Sequence, residues 1–243
     1  MRKINFVNGE YYHIYNRGAN KQNVFIDEKD YWKFIDCLRD LNNETYYEER
    51  LQAIGYSNDL SKEPSSLDFK QLRSFLVGKN KVVDVVVDCI IDNHYHMILR
   101  QLVEKGVSNL MHKVGLSYTN CFNKKYNHSG HVFQGPFKAI HIDNNDYLLW
   151  LAGYICGNTE IHKICEAKGY DWSSYRVFLE ILRKSKEPGS LDSLSPFSVL
   201  SGFDVILSQF KNADEFESFV KSVIRESKTK KEMGEYLLED INL

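Results

Sequence analysis

At 243 residues, 43% of them hydrophobic and 13% aromatic, the chain is long enough to bury a sizeable core in one large domain or in one domain with an appendage. No apolar run reaches the length that a bilayer crossing needs, and Met1-Arg2-Lys3-Ile4-Asn5 lacks the apolar stretch of a secretion signal, so a cytoplasmic setting with no membrane partner is expected. Five scattered cysteines without a Cys-x-x-Cys pair argue against a disulfide framework or a structural zinc knuckle, and the net charge of -2 carries no message as a sum.

The first predicted element is a strand, Tyr11-Tyr12-His13-Ile14-Tyr15-Asn16-Arg17, rich in strand-favouring residues and ended by Gly18. Tyr31, Phe34, Ile35 and Leu38 then recur at helical spacing and predict a helix over residues 28–41 with Asp27 as N-cap. Residues 42–67 turn polar, charged and Ser/Pro-containing, which reads as an insertion, and residues 69–76 suggest a short helix. Two strands follow, joined tightly around Asp92-Asn93. A second helix is predicted over residues 107–126, with Ser108 as candidate cap and an apolar stripe from Val107 through Val114 to Phe122. A strand is expected near residues 137–142, a third helix over about 145–158, and more helical sequence after Trp172-Ser173-Ser174-Tyr175. Pro188-Gly189-Ser190 reads as a linker to two or three short helices, giving expected units of 1–180 and a separable helical extension, 187–243.

The order strand, helix, strand, strand, helix, strand is that of an α+β, ferredoxin-like split β-α-β domain, with helices on one face of an antiparallel sheet. The third helix follows the last strand and can cross the open face. Architecture alone fixes no function.

The chemistry lies in a few side chains. His94 and His96 are two apart in a strand, so both imidazoles leave the same face, side by side. Neutral imidazole is the commonest protein metal ligand, and two from one strand form half of a metal site. Tyr154 and Asn158 are four apart and share a helix face. A phenol beside a divalent ion and a phosphate is a competent nucleophile, and an amide oxygen is a hard ligand suited to Mg²⁺ or Mn²⁺. Taken singly, these spacings equally describe an aromatic at a helix–sheet contact and polar residues on an exposed strand. Residues 105–142 contain no Asp or Glu but carry Lys105, Lys113, Lys124, Lys125 and Lys138, a cationic island in a mildly acidic chain.

Taken in order, the motifs resemble the single-tyrosine transposases of the HUH superfamily, in particular the REP-associated tyrosine transposases and their insertion-sequence relatives. The resemblance runs from about Tyr12 to Tyr175. It is carried by Tyr12-His13-Ile14-Tyr15-Asn16-Arg17-Gly18, Asp92-Asn93-His94-Tyr95-His96, Ser117-Tyr118-Thr119-Asn120, Gly130-His131-Val132-Phe133-Gln134-Gly135-Pro136-Phe137-Lys138, Tyr154-Ile155-Cys156-Gly157-Asn158 and Trp172-Ser173-Ser174-Tyr175. It implies His94 and His96 as the metal pair, Tyr154 as nucleophile, Asn158 as third ligand and Mg²⁺ or Mn²⁺ as cofactor. It also implies single-stranded or hairpin DNA as partner, nicked through a 5′-phosphotyrosine link and rejoined by the freed 3′-hydroxyl. Arg17, Lys113, Tyr118, Lys124, Lys125, His131 and Lys138 are then the expected DNA contacts. A homodimer is compatible with the resemblance, since relatives include dimers and monomers.

The chain departs from the family pattern at Asp92, where a proline is usual, at Gly153 in place of arginine before the tyrosine, and at Thr159 in place of proline. Gly153 and Gly157 each cost a helix about 1 kcal/mol against alanine. A domesticated hairpin-binding protein without cleavage is the alternative reading. A small-molecule metal hydrolase lacks further ligands in suitable places, and a replication initiator would place lysine where Asn158 stands.

Overall fold

The computed structural model describes residues 4–43, 80–184 and 200–232. Most of the expected insertion, the short helix at 69–76 and the linker at Pro188-Gly189-Ser190 lie outside them. The elements are β1 (Tyr11–Arg17), α1 (Glu28–Leu41), β2 (Val83–Ile91), β3 (His94–Gln101), α2 (Gly106–Tyr126), β4 (Lys138–Ile142), α3 (Asn145–Cys156), α4 (Asn158–Ile161), α5 (Ser174–Lys184), α6 (Asp204–Leu207) and α7 (Ala213–Glu232). The strands form one antiparallel sheet in the order β2-β3-β1-β4, so the fold is α+β.

Side-chain alternation divides the sheet into two faces. Ile14, Asn16, Tyr95 and Met97 share the face covered by α1 and α2, where the Tyr95 ring lies 4.9 Å from Phe34 of α1. His13, Tyr15, His94 and His96 share the other face, which α3 covers. The bulky residue between the two histidines thus anchors β3 to the helices behind it.

Helix α1 begins where expected. The Asp27 side chain accepts from the Asp30 amide while the Asp30 carboxylate accepts from the Asp27 amide, a reciprocal capping box. At the other end, the Asn42 amide oxygen accepts from the Val82 and Val83 amides at 3.1 and 3.0 Å, which sets the start of β2.

Three boundaries differ from the sequence expectation. Ser108 does not cap α2, which starts at Gly106 behind a left-handed Lys105. The Gln101 side chain instead accepts from the Val107 amide at 3.3 Å, meeting one of the donors that a helix start leaves over. The third helix is not continuous to Asn158: it ends at Cys156, and the chain resumes as the short α4 after Gly157. In the extension, the described helices are the short α6 and the 20-residue α7, which is longer than expected and packs into the hydrophobic core through Phe216, Val220, Val223 and Ile224.

The outer edge of β2 is covered, as an exposed strand edge should be. The Ile90 amide donates to the Trp172 carbonyl, the Ser201 amide donates to the Val85 carbonyl, and the Asp88 amide donates to Ser174 Oγ. Ser174 Oγ also donates to the Asp88 carboxyl. Burial pushes that carboxyl up to about 6, against the opposing hydrogen bond from Ser174. Between its ordinary value near 4 and about 6, the folded state keeps a proton that the unfolded chain has lost, so stability falls as pH rises through that window. Asp88→Asn keeps an acceptor for Ser174 and removes the titration. Urea unfolding should show the variant's stability falling less steeply than the parent's across this window and lying above it at higher pH, by about 3 kcal/mol at most. Parallel pH profiles for parent and variant would contradict the assignment.

Candidate active site

The β1–β3 register aligns His96 with Tyr15 and His94 with Arg17. On the flanking strands Cys89 and Ile91 stand opposite the two histidines, and Lys138 stands opposite Tyr15. One row across the sheet therefore reads Cys89, His96, Tyr15, Lys138, and the next reads Ile91, His94, Arg17. The two imidazoles leave one face, as the sequence predicts, with ring centroids 5.2 Å apart and planes perpendicular. A small cavity of about 20 Å³ opens here, walled by Tyr15, Arg17, His94, His96, Gln134 and Lys138. That is room for one water or one ion. Lys138 lies with its ammonium 6.0 Å from the Tyr15 ring centroid, and burial, then the neighbouring Arg17 guanidinium, hold that ammonium below its ordinary value.

Neighbouring groups set the proton positions on the histidines. The Asn93 amide nitrogen donates to the Lys21 carbonyl at 3.2 Å, which turns Asn93 Oδ1 toward His94 Nδ1 at 2.6 Å. An amide oxygen only accepts, so His94 carries its proton on Nδ1 and leaves a lone pair on Nε2 when neutral. His96 Nδ1 faces Nε2 of His13, 2.8 Å away on β1. Sequence reading left His13 without a role. The signal was present in the alternation of Tyr11, His13, Tyr15 and Arg17 along one strand face. It also passed over His162, just after α4, whose ring lies 5.4 Å from that of His94.

From the opposite side, α3 brings Tyr154 over the sheet. Its ring centroid is 6.1 Å from that of His96 in an edge-on arrangement, and its other side stacks on Trp150 at 5.4 Å. Tyr154 and Asn158 are both 0% exposed. The geometry therefore brings His94, His96 and Tyr154 together, with Asn158 one turn on, beyond the break at Gly157.

The donor set fits a divalent cation in chemistry. Each of these residues is held by contacts elsewhere, but His94 Nε2, His96 Nε2 and Asn158 Oδ1 are buried atoms outside any hydrogen bond among the described residues. No three His, Cys, Asp or Glu side chains among the described residues gather into a metal site by themselves. A cation in the cavity would draw on the two imidazoles and on oxygens from substrate or water, a set compatible with Mn²⁺ or Mg²⁺, whereas Asn158 does not wall the cavity.

Gly153 inside α3 and Gly157 at the break that follows it both have a packing reason. A methyl group at Gly157 would sit 2.3 Å from Ile224 Cγ1, and one at Gly153 would sit 2.9 Å from Val223 Cγ2. Helix α7 thus reaches the α3 backbone at the turn that carries Tyr154. Lys228 of α7 adds an ion pair to Glu160 at 3.1 Å.

The expected DNA contacts divide. Arg17 and Lys138 wall the cavity beside the histidines. Lys124 and His131 are exposed and Lys113 is half-buried on the same acid-free stretch. Two are engaged otherwise. Tyr118 is buried, and its hydroxyl donates to the Val24 carbonyl. Lys125 bridges Asp27 and Asp30 at 2.6 and 2.7 Å, and its ammonium holds the Asp27 carboxyl below the usual range. Core packing claimed the ring, and the α1 cap claimed the lysine. Behind the end of β1, a groove of about 730 Å³ lined by residues including Asn16, His112, Leu116, His131 and Phe137 shares Asn16 as a wall with the cavity.

No protein-family model matches the chain. No curated protein matches it either. Among solved structures, the chain is similar to a REP-associated tyrosine transposase bound to a REP hairpin, at 10% sequence identity and a TM-score of 0.47, over 74% of this chain and 85% of that one. No helix among the described residues is long and apolar enough to cross a membrane.

The contact between α3 and α7 is testable. Gly157→Ala should destabilise the protein by about 1–3 kcal/mol through overpacking against Ile224. Adding Ile224→Ala should recover part of that loss, with the coupling read from urea unfolding of the four members of the cycle. Strict additivity would show that α7 does not press on this turn.

Proposed function

We propose that the protein nicks and rejoins single-stranded DNA near hairpins, with Tyr154 as nucleophile and His94, His96 and Asn158 holding a divalent Mg²⁺ or Mn²⁺. The observation that carries this reading is the meeting of the His96 and Tyr154 rings, from a strand and a later helix, beside a cavity walled by Arg17 and Lys138. The strand order β2-β3-β1-β4, with α1 and α2 on one face, supports the ferredoxin-like form of the fold. The motif set that resembles the HUH transposases supports the reaction class.

A cation bound here would supply charge stabilisation at a non-bridging phosphate oxygen. The chain's own groups do the rest. Arg17 and Lys138 draw the phosphodiester to the cavity mouth. The Tyr154 phenol oxygen bonds to phosphorus, the bond to the 3′-oxygen breaks, the phenol proton is lost and the departing 3′-oxygen gains one. The DNA 5′-phosphate is then joined to Tyr154. The 3′-hydroxyl reverses the step on this or another strand, and the phosphotyrosine ester conserves the bond energy, so no nucleotide cofactor is consumed.

Because Tyr154 is 0% exposed, DNA engages it only when α3 shifts away from the sheet. The acid-free surface carrying Lys113, Lys124 and His131 meets the phosphate backbone, and the groove beside Asn16 offers apolar walls to unpaired bases.

The test is a nicking assay on single-stranded hairpin oligonucleotides with Mg²⁺ or Mn²⁺. The wild type should give a DNA–protein adduct stable to denaturation. Tyr154→Phe should lose the adduct and cleavage yet bind the hairpin within a few-fold of wild type. His96→Ala should lose metal-dependent cleavage. Hairpin binding by the wild type with no adduct under any metal would instead favour the binding-only reading, and an adduct formed by Tyr154→Phe would remove the nucleophile assignment.

A further inference from the structure

His13 is 0% exposed on the central strand β1, and its Nε2 lies 2.8 Å from Nδ1 of His96. The two rings are close to parallel, 18° apart with centroids separated by 5.1 Å, and both also stack on Tyr15, at 4.8 Å for His13 and 5.6 Å for His96. Three rings are thereby fixed across the β1–β3 pair, with His13 placed diagonally from His96 because its direct partner is Ile98.

A hydrogen bond between two neutral imidazoles has one donor and one acceptor, so it exists in two forms. In one, His96 Nδ1–H donates to His13 Nε2, and His96 Nε2 bears a lone pair toward the site. In the other, His13 Nε2–H donates, and neutral His96 carries its proton on Nε2, where it repels a cation. Asn93 already holds His94 in the form with a lone pair on Nε2. The pair of strand histidines matches only when His96 adopts the first form.

We infer that His13 is a positioning residue: by accepting the Nδ1–H of His96, it holds that imidazole in the ring orientation and tautomer whose Nε2 binds a divalent cation. This rests on the reading of His94 and His96 as metal ligands. A carboxylate in this role would have to stay ionised deep in the core, at a large desolvation cost. A neutral imidazole accepts the same proton without a charge. Groups that orient metal-bound histidines in this way are typically worth 10–100-fold in metal affinity.

The test uses the full chain and Mn²⁺ itself, followed by electron paramagnetic resonance, with wild type, His96→Ala, His13→Phe and His13→Gln. Phenylalanine keeps a ring but no acceptor, whereas glutamine places an amide oxygen near the former Nε2. His13→Phe should weaken Mn²⁺ binding about 10–100-fold, and His13→Gln should bind within a few-fold of wild type. Nitrogen-15 spectra of histidine-labelled wild type with Mg²⁺ should show His96 protonated on Nδ1, a readout that needs no substitution. Mn²⁺ affinity unchanged in His13→Phe, or His96 protonated on Nε2 in the Mg²⁺-loaded protein, overturns the inference. Equal Mn²⁺ binding by wild type and His96→Ala overturns the metal reading itself, and the inference with it.

Discussion

The pairing of β1 with β3 is the constraint on which the site depends. Strand side chains alternate, so a slip of one residue would turn His13, Tyr15 and Arg17 to the face covered by α1 and α2, away from the two strand histidines. The end of the pair is tied down by backbone bonds. The Gly18 amide donates to the Asn93 carbonyl at 2.8 Å, and the Val24 and Phe25 amides both donate to the Asp92 carbonyl at 2.8 Å. The Tyr31 hydroxyl adds a bond to the Asp92 side chain at 2.7 Å. Gly18 is also required by the turn that follows, since a Cβ there would lie 2.1 Å from the Gln22 carbonyl oxygen. Asp92 is thus committed to the turn by both its backbone and its carboxylate.

Above the sheet a second constraint acts. Gly153 within the Tyr154 helix and Gly157 just past its end lower local helix propensity, yet they let α7 lie directly on this turn. The loss in local propensity is offset by burial of Val223 and Ile224. The outcome is a closed site, with the phenol buried and both imidazoles facing only a cavity of about 20 Å³. A site held shut by side-chain packing, with the chain interrupted at Gly157 just past the Tyr154 helix, is suited to opening as a unit.

Much of this was legible in the sequence. The bounds of α1 and its Asp27 cap, the hairpin at Asp92-Asn93 and the strand–helix order all follow from periodicity and turn chemistry. The shared face of His94 and His96 follows from period 2. What was not legible depends on contacts between distant elements. Gly157 looks like a flaw until Ile224 is placed against it. Ser108 looks like a cap until the Gln101 side chain reaches the Val107 amide. Lys125 looks like a phosphate contact until Asp27 and Asp30 come within 2.7 Å of it. His13 was visible as a strand residue, but its partner lies 83 positions along the chain, and only the register reveals it.

The central claim is spatial: one cation-binding site touches both the strand histidines and the Tyr154 phenol. Paramagnetic relaxation of ring-labelled tyrosines during a substoichiometric Mn²⁺ titration tests it most directly. The account predicts that Tyr154 and Tyr15 relax fastest, well ahead of Tyr118 on the opposite face of the sheet, and that the difference vanishes when both His94 and His96 are replaced by alanine. Relaxation of Tyr154 no faster than that of Tyr118 would contradict it.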